Sequence, residues 1–211
     1  MSTLEGAQAT RLFNAIRTIK GGELTQAEVD AVNRALLVEV AAVARTGRTV
    51  SPRGRAMMHA FEGCAKLRSD GRYEAYPDPG SRDGTPWTIG FGSTGPDVKR
   101  GTVWTLAQCE ARFDHDLGKF EAGVSLLIGT APTTQNQFDA LVSIAYNIGL
   151  DIDADDKAEG LGDSTLLKRH LVGDYAGAKA AFGSWVFNDG KKMAGLERRR
   201  AAEAALYGSA A

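Results

Sequence analysis

The feature that most constrains the fold is one strand-like segment, residues 73–94, that lies between long stretches with a helical pattern. The segment is rich in aromatic and β-branched residues, and prolines and glycines interrupt it. This composition is typical of a hairpin or a small antiparallel sheet. Residues 79–84 have turn chemistry and are expected to form its loop. We therefore expect an α+β fold, mainly α-helical, with a small antiparallel β lobe and a helical lobe.

The chain after the strand-like segment has a helical period. Thr105 and Gln108 have the spacing of a capping box, and apolar residues recur at every third or fourth position after them. Later helices are each indicated by a capping residue at the start or a glycine at the end. They are expected near residues 134–148, 164–171, 174–185 and 195–207. We expect this whole part of the chain to be helical.

The chain before the strand-like segment is also expected to be helical. Residues 1–45 contain two apolar stripes at helical spacing, and residues 46–54 are polar with Gly and Pro, which is typical of a connector. A short helix is expected to follow and to end near Gly63. The resulting division is an N-terminal helical extension, 1–50, whose role is open, and a main domain, 55–211.

The composition excludes several classes of protein. Hydrophobic residues make up 43% of the chain and charged residues 24%, as in an ordinary globular protein. A net charge of −1 indicates no field that would attract nucleic acid. No run of about eighteen apolar residues is present, so membrane insertion is not expected. The first residues lack the basic and apolar segments of a secretory signal, so none is expected.

Neither a metal ion nor another cofactor is expected. The three histidines are scattered and lack the spacing of zinc ligands. Asp151, Asp153 and Asp155 have the spacing that begins a calcium loop, but Asp156 stands where that loop needs glycine. This acidic stretch is therefore interpreted as a solvated loop.

The two cysteines are too few for a disulfide framework. Cys109 lies on the apolar stripe of a predicted helix, which favours a small buried side chain. Whether it pairs with Cys64 stays open.

Three polar residues around the strand-like segment have the chemistry of glycosidic bond cleavage. Glu62 ends the short helix, Asp78 follows sixteen residues later, and Thr88 follows ten residues after that. Cleavage needs two carboxyl groups: one protonates the leaving oxygen, and the other drives attack at the sugar carbon. The hydroxyl of Thr88 can both donate and accept a hydrogen bond, which suits it to hold a water molecule.

These residues belong to stretches that resemble the phage-type lysozymes of glycoside hydrolase family 24, which are endolysins. The resemblance runs in the family's order from residue 56 to residue 208. Its matching stretches are residues 61–63, 75–80, 87–94, 137–143 with 146–149, 164–167, 173–175 and 195–200. The resemblance implies a lysozyme-like fold and hydrolysis of the β-1,4 bond from N-acetylmuramic acid to N-acetylglucosamine in peptidoglycan.

The resemblance also implies roles for the three residues. Glu62 would be the general acid, and Asp78 the base or electrostatic support for a water molecule positioned by Thr88. The spacings from Glu62 to Asp78 and from Asp78 to Thr88 are longer than the family's usual ones. Glu74 and Asp83 are therefore alternatives for the second carboxylate, and Asp78 is preferred because residues 76–80 match the motif.

The resemblance implies further site residues outside the strand-like segment. An arginine of the last helix would support the catalytic Glu, and the motif aligns Arg199 there, with Arg200 second. A plain solvated basic face is the alternative for these arginines. Tyr76, Gln137 and Asn147 would line the sugar cleft, or have structural roles instead.

The expected protein is thus a monomeric endolysin whose partner is the glycan strand of peptidoglycan. Without an export signal, it would stay in the host cytoplasm until a holin lesion releases it to the cell wall. The alternatives are a lytic transglycosylase, whose chemistry can run on one Glu, and a non-catalytic protein that binds the cell wall. Host and preferred peptidoglycan type stay open, as does the choice between inversion and retention.

Overall fold

The computed structural model of the chain describes residues 25, 47–77, 85–152, 159–188 and 190–210. Within these ranges it forms six α-helices and six short β-strands. The mainly helical α+β class expected from the sequence is confirmed.

The chain divides into two compact units. The sheet unit is Val50–Phe120, and the helical unit consists of Met1–Thr49 and Glu121–Ala211. Most of the predicted N-terminal extension, including its two helices, lies outside the described residues. The extension and its boundary stay predictions.

The helices follow the predicted order. They are α1 Pro52–Glu62, α2 Leu106–Ile128, α3 Gln135–Ile148, α4 Thr165–Leu171, α5 Tyr175–Ala181 and α6 Ala194–Tyr207, with one 3₁₀ turn at Phe182–Ser184. None of these helices is long and apolar enough to cross a membrane.

Helix α1 begins earlier than the sequence indicated. Residues up to 54 were expected to be a connector, but the hydroxyl of Ser51 accepts a hydrogen bond from the Gly54 N–H at 3.2 Å and caps the helix. Pro52 then occupies the first turn, where its missing N–H costs nothing. The connector therefore ends at Ser51, because the Pro and Gly that suggested a loop are tolerated in a first turn.

Capping side chains fix the starts of the other helices. At α2, Gln108 Oε1 accepts from the Thr105 N–H at 2.9 Å, and Thr105 Oγ1 accepts from the Gln108 N–H at 3.3 Å. Thr134 and Gln137 form the same reciprocal pair at α3, while Ser164 caps α4. Each arrangement satisfies N–H groups that a helix start leaves without partners.

The predicted hairpin region forms two short antiparallel pairs. Strand β2 (Tyr76–Pro77) pairs with β3 (Trp87–Thr88), so Tyr76 lies opposite Thr88. Strand β1 (Tyr73–Glu74) pairs with β4 (Val103–Trp104), which lies beyond the predicted strand segment. The predicted loop between β2 and β3 lies outside the described residues.

A third pair corrects the expectation that everything after residue 105 is helical. Strand β5 (Phe187–Asn188) pairs with β6 (Lys191–Lys192) in a hairpin. Gly190 has φ of 72°, a backbone conformation that glycine adopts without strain. The Asp-Gly dipeptide at this turn is a strong hairpin signal, and it outweighs the weak helical pattern around it.

Each unit has its own apolar core. In the sheet unit, Ile89, Ala75 and Val98 are buried together, with Trp87 and Trp104 packed against them. The helical unit buries a larger set from α3, α4, α6 and the 3₁₀ turn. That set includes Phe138, Leu141, Ile144, Leu166, Phe182 and Leu206. These cores hold the chemically active side chains of each unit on rigid elements.

Candidate active site

Glu62 lies at the end of α1 in the sheet unit. It is half-buried, and its Oε1 atom is shielded from solvent. Gly63 follows with φ of 62° and its N–H donates to the carbonyl of His59 at 3.0 Å, which ends the helix. The helix end therefore fixes the carboxyl group in position.

A tight glycine loop lies against this carboxyl group. Ile89 and Ser93 close the loop by exchanging two backbone hydrogen bonds, of 2.9 and 3.0 Å. A Cβ atom built on Gly92 would lie 3.4 Å from Oε2 of Glu62. One built on Gly90 would lie 2.9 Å from Cβ of Cys109, closer than real Cβ atoms pack. Both glycines have positive φ, so the Ile-Gly-Phe-Gly sequence is what lets this backbone pass Cys109 and Glu62.

Aromatic rings support α1 one turn before Glu62. The His59 ring stacks on Phe91, with ring centroids 4.1 Å apart, and meets the edge of Phe113 at 4.7 Å. Burial lowers the pKa of His59, and the positive charge of Arg55 lowers it further against the opposing effect of Glu110. His59 is thus a packed side chain that stiffens the helix end.

Tyr76 and Thr88 lie opposite each other in the β2–β3 pair. Directly opposed residues of an antiparallel pair project to the same face, so the side chains of Tyr76 and Thr88 are neighbours. Burial raises the pKa of Tyr76, and the charge of Glu62 raises it further, because both disfavour a tyrosinate at this place. The structure therefore places Tyr76 and Thr88 side by side within the sheet unit, with Tyr76 within reach of the charge of Glu62.

The preferred candidate for the second carboxylate, Asp78, is not among the described residues. Asp78 comes directly after Pro77, the β2 residue that pairs with Trp87, but its own placement lies outside the described ranges, as does that of Asp83. The remaining candidate, Glu74, accepts a hydrogen bond from Arg68 Nη1 at 3.1 Å.

A thiol chain runs behind the helix end. Cys64 and Cys109 are both free thiols and interact with each other, and the Tyr73 hydroxyl interacts with Cys64. Burial raises the pKa of the Cys64 thiol to about 12, with Cys109 adding to the shift. The structure thus shows two hydrogen-bonded thiols where the sequence left a disulfide open.

In the helical unit, the predicted arginine belongs to a buried ionic network. Arg199 is 5% exposed and Arg200 is 1% exposed, and both contact Glu203, which is fully buried. Arg199 Nε donates to Glu203 Oε1 at 3.1 Å, and Arg200 Nε lies 2.7 Å from Oε2. The interpretation of these arginines as a plain solvated face is therefore wrong.

This network reaches α3. Arg199 Nη2 donates to the carbonyl of Ser143 at 3.2 Å, and Arg200 Nη2 donates to Oδ1 of Asn147 at 3.0 Å. Asn147 is exposed, so its amide can meet a ligand. Gln137 differs: it is 7% exposed, and its Oε1 accepts the Thr134 N–H at 2.8 Å as part of the α3 cap.

The sequence reasoning missed Glu203. Its signal was present, because Glu203 stands four residues after Arg199 and three after Arg200, the spacing that places side chains on one helix face. Within the ranges that the structure describes, no group of three or more His, Cys, Asp or Glu could hold a metal ion. The side chains described above, with the carboxyl group of Glu62 among them, can take part in acid–base chemistry and hydrogen bonding.

Comparison with known proteins places the fold. The sequence pattern of the phage lysozyme family matches residues 59–203. The chain is 36% identical over 165 residues to an endolysin of Acyrthosiphon pisum secondary endosymbiont phage 1, covering 76% of this chain and 99% of that protein. It is 37% identical over 160 residues to an endolysin of Bacillus phage PZA, covering 76% of this chain and 55% of that protein.

Two solved structures have the same fold. One is the muramidase domain of SpmX from Asticaccaulis excentricus, with a TM-score of 0.63, 32% identity, and coverage of 77% of this chain and 99% of that one. The other is an endolysin from Escherichia coli O157:H7 phage FAHEc1, with a TM-score of 0.61, 38% identity, and coverage of 76% and 94%.

The fold, the half-buried carboxyl of Glu62 and these likenesses define a lysozyme-type glycoside hydrolase. The chain belongs to the phage lysozyme family. Lysozymes of this kind act on peptidoglycan, the polymer of the bacterial cell wall.

Proposed function

We propose that the chain is an endolysin that hydrolyses the β-1,4 bond between N-acetylmuramic acid and N-acetylglucosamine. The observation that carries the proposal is the setting of Glu62. Its Oε1 atom is shielded from solvent, and the backbone of Gly92 lies against its Oε2. A carboxyl group fixed on a helix end, with a backbone loop beside it and hydroxyl groups near it, suits a general acid for a sugar leaving group.

Thr88 and Asp78 complete the proposed reaction. Asp78 acts as base for, or electrostatically supports, the attacking water, and Thr88 holds that water. Support for Asp78 comes from its motif, residues 76–80, and from its position in the sequence directly after Pro77, the last residue of β2. The alternative, Glu74, accepts a hydrogen bond from Arg68 on Oε2, an oxygen that a general base would use to accept a proton.

The family motif supports roles for further residues. It aligns Arg199 with the arginine that supports the catalytic Glu, and we propose that Arg199 stabilises the charge that Glu62 carries after it has given up its proton. Asn147 binds substrate through its amide, and Tyr76 lines the cleft beside Glu62. Gln137 stays a weaker prediction for substrate binding, because its side chain already caps α3.

The products of peptidoglycan digestion test the proposal. Purified peptidoglycan is incubated with the protein, and the new chain ends are identified by mass spectrometry. Hydrolysis leaves reducing muramic acid ends, which is the expected result. Anhydro-muramic ends would instead show a lytic transglycosylase, and intact glycan with bound protein would show a cell-wall-binding protein.

We further propose that the protein acts as a monomer and reaches the wall after a holin lesion. Two relatives carry the name SAR-endolysin, from Escherichia phage Mu at 36% identity and Enterobacteria phage P21 at 33% identity, so the release route needs its own test. The protein is expressed in a bacterium, and turbidity is followed before and after chloroform opens the inner membrane. Holin dependence predicts lysis only after chloroform, whereas lysis without it contradicts the proposed route.

The N-terminal extension is proposed to pack on the catalytic part of the chain. Its last residues support this: Arg48 Nη2 donates to the carbonyl of Thr133 at 2.8 Å, and its guanidinium lies 4.8 Å from the ring centroid of Phe138. A truncated protein that starts at Val50 is then expected to unfold at a lower temperature than the full chain. An unchanged unfolding temperature with weaker binding to cell walls would instead indicate a binding module.

A further inference from the structure

The ionic network of α6 is centred on one carboxylate. Glu203 Oε1 accepts hydrogen bonds from Ser143 Oγ at 2.7 Å, Arg200 Nη2 at 3.0 Å and Arg199 Nε at 3.1 Å. Its Oε2 lies 2.7 Å from Arg200 Nε. Glu203 therefore contacts Arg200 at two of the guanidinium nitrogens, by a hydrogen bond to Nη2 and by an ion pair with Nε, which restricts the position of that group.

The position of the Arg200 guanidinium determines the orientation of the Asn147 side-chain amide. Arginine has only donors, so the group that Arg200 Nη2 meets on Asn147 must be the amide oxygen, as the 3.0 Å contact to Oδ1 shows. With Oδ1 held, the Nδ2 group of Asn147 is the end left to point outward. Asn147 lies near the end of α3 and is exposed, so it offers a hydrogen-bond donor to a ligand.

Fold stability alone does not require this network. Burying a carboxylate and two guanidiniums is costly, and apolar residues of similar volume often stabilise a fold as well or better. A buried ionic group that joins several side chains is instead suited to hold them in one orientation. Arg200 links the buried carboxylate of Glu203 to the exposed amide of Asn147. A network that only stabilised the interior would not need this contact to an exposed side chain.

We propose that Glu203 is a positioning residue, which acts through Arg200 to orient the Asn147 amide as a donor to an acceptor oxygen of the glycan. The acceptor class is an acetamido carbonyl or a sugar hydroxyl. The proposal rests on the proposed function for its substrate, but the Glu203–Arg200–Asn147 link can be tested without catalysis.

The first test uses NMR on the folded protein. The side-chain amide signals of Asn147 are assigned by their loss in an Asn147→Ala variant. In a Glu203→Gln variant these signals are expected to move and broaden, because Arg200 is no longer held. Glu197→Gln is the matched control, since Glu197 is an exposed Glu of the same helix, and it should leave the signals in place. Unchanged Asn147 signals in Glu203→Gln overturn the link, whatever the protein cleaves.

The second test uses kinetics on soluble glycan strands. Loss of one oriented donor to the substrate should raise KM about 2- to 10-fold, with kcat per folded molecule changed less. A merely structural role would lower the folded fraction, and hence the apparent kcat, with KM unchanged. Glu203→Asp keeps the charge, so its KM should lie between those of the wild type and Glu203→Gln. In a protein that already carries Asn147→Ala, Glu203→Gln should raise KM little further.

The outcomes separate the two proposals. If the wild-type protein leaves glycan intact, the proposed function fails, while the NMR result still decides the link. If Glu203→Gln does not fold, the NMR and kinetic comparisons are made with Glu203→Asp, for which the same changes are expected but smaller, because its carboxylate keeps the charge and sits one methylene further back. A folded variant with displaced Asn147 signals but wild-type KM overturns the substrate-orienting role.

Discussion

The backbone of Gly92 lies directly against the carboxylate of Glu62: a Cβ atom at position 92 would stand 3.4 Å from Oε2. Gly92 also has φ of 85°, a conformation that side chains rarely adopt. The glycine thus leaves room beside a carboxyl group that a substrate oxygen must reach.

Gly92→Ala is therefore expected to reduce activity more than its backbone strain explains. Strain at positive φ costs about 1–2 kcal/mol and lowers the unfolding temperature by a few degrees. The added methyl group also takes the space beside Oε2 of Glu62 that a substrate oxygen needs, and a misplacement of the substrate by about 1 Å can cost about 100-fold in rate. Thermal unfolding and kcat/KM on purified peptidoglycan measure the two effects separately.

Gly101→Ala is the matched control for this prediction. Gly101 has the same φ of 85°, but a Cβ atom there would meet nothing within 4 Å. It should lose similar stability and keep its activity. Equal activity losses in the two variants would mean that backbone strain alone is responsible.

Glu62→Gln should abolish most of the activity while the protein stays folded. The amide keeps the shape of the side chain but cannot deliver a proton, and general acid catalysis contributes about 10²- to 10⁴-fold. Release of reducing ends from peptidoglycan measures the loss, and circular dichroism checks the fold. Clearing of cells at the wild-type rate would contradict the role of Glu62.

Three further substitutions identify the second carboxylate. Asp78→Asn is expected to lower the rate of hydrolysis strongly, whereas Glu74→Gln and Asp83→Asn should retain most of it. Glu74 is held by Arg68 in an exposed ion pair, so its loss should change stability by less than about 1 kcal/mol. If Glu74→Gln lost most of the hydrolysis rate and Asp78→Asn kept it, the second carboxylate would be Glu74 and not Asp78.

Much of the fold could be predicted from sequence, because its boundaries depend on local chemistry. Thr105, Thr134 and Ser164 each satisfy N–H groups of the helix that follows them, so the predicted starts are confirmed. The β5–β6 hairpin was missed because its strands are two residues long and give no alternating pattern. Its turn depends on Gly190, a signal that a search for helical periods passes over.

The site could be predicted only in part. Local motifs showed Glu62, Tyr76 and Thr88; in the sheet unit Tyr76 lies opposite Thr88 and its pKa is raised by the charge of Glu62. The contact of Glu203 with Arg200 and the link to Asn147 join residues far apart in the chain. Such contacts depend on how α3 and α6 pack, and periodicity does not give that packing.

Cys64 is expected to react slowly with alkylating reagents. Its pKa of about 12 leaves about a thousandfold less thiolate near pH 8 than a thiol with pKa near 9 would have. Labelling with iodoacetamide, followed by mass spectrometry, should therefore modify neither Cys64 nor the buried Cys109 within minutes. Both should react quickly in denaturant.

Tyr73→Phe tests whether the Tyr73 hydroxyl lowers the pKa of the Cys64 thiol. Tyr73 donates to the sulfur of Cys64, which favours the thiolate, so removing the hydroxyl should slow labelling further. Faster labelling of Cys64 in Tyr73→Phe would show that the ring acts as a cover, not as a hydrogen-bond donor.

His170 should make the stability of the helical unit depend on pH. It is fully buried; its Nε2 lies 2.8 Å from Thr133 Oγ1 and its Nδ1 lies 2.6 Å from the Tyr207 hydroxyl. Thr133 donates its own hydrogen to the carbonyl of Ala131, so His170 Nε2 must donate to Thr133 and Nδ1 must accept from Tyr207. This arrangement requires the neutral ring.

Burial lowers the pKa of His170, and the charge of Arg48 lowers it further. The unfolded chain, with an ordinary histidine pKa near 6.5, then binds more protons than the folded one below that pH. The contribution of His170 is therefore fully present above about pH 6.5 and is lost as pH falls towards the lower folded pKa. Urea unfolding at a series of pH values between about 5 and 8 should show stability rising with pH.

His170→Gln tests whether this residue causes the slope. The variant removes the titrating ring, so its stability should change less between pH 5 and 8, even though it is less stable at every pH. His115→Gln is the control, because His115 is exposed on α2 and its loss should leave the slope unchanged. A slope that persists fully in His170→Gln would assign the effect to His59, whose pKa burial also lowers.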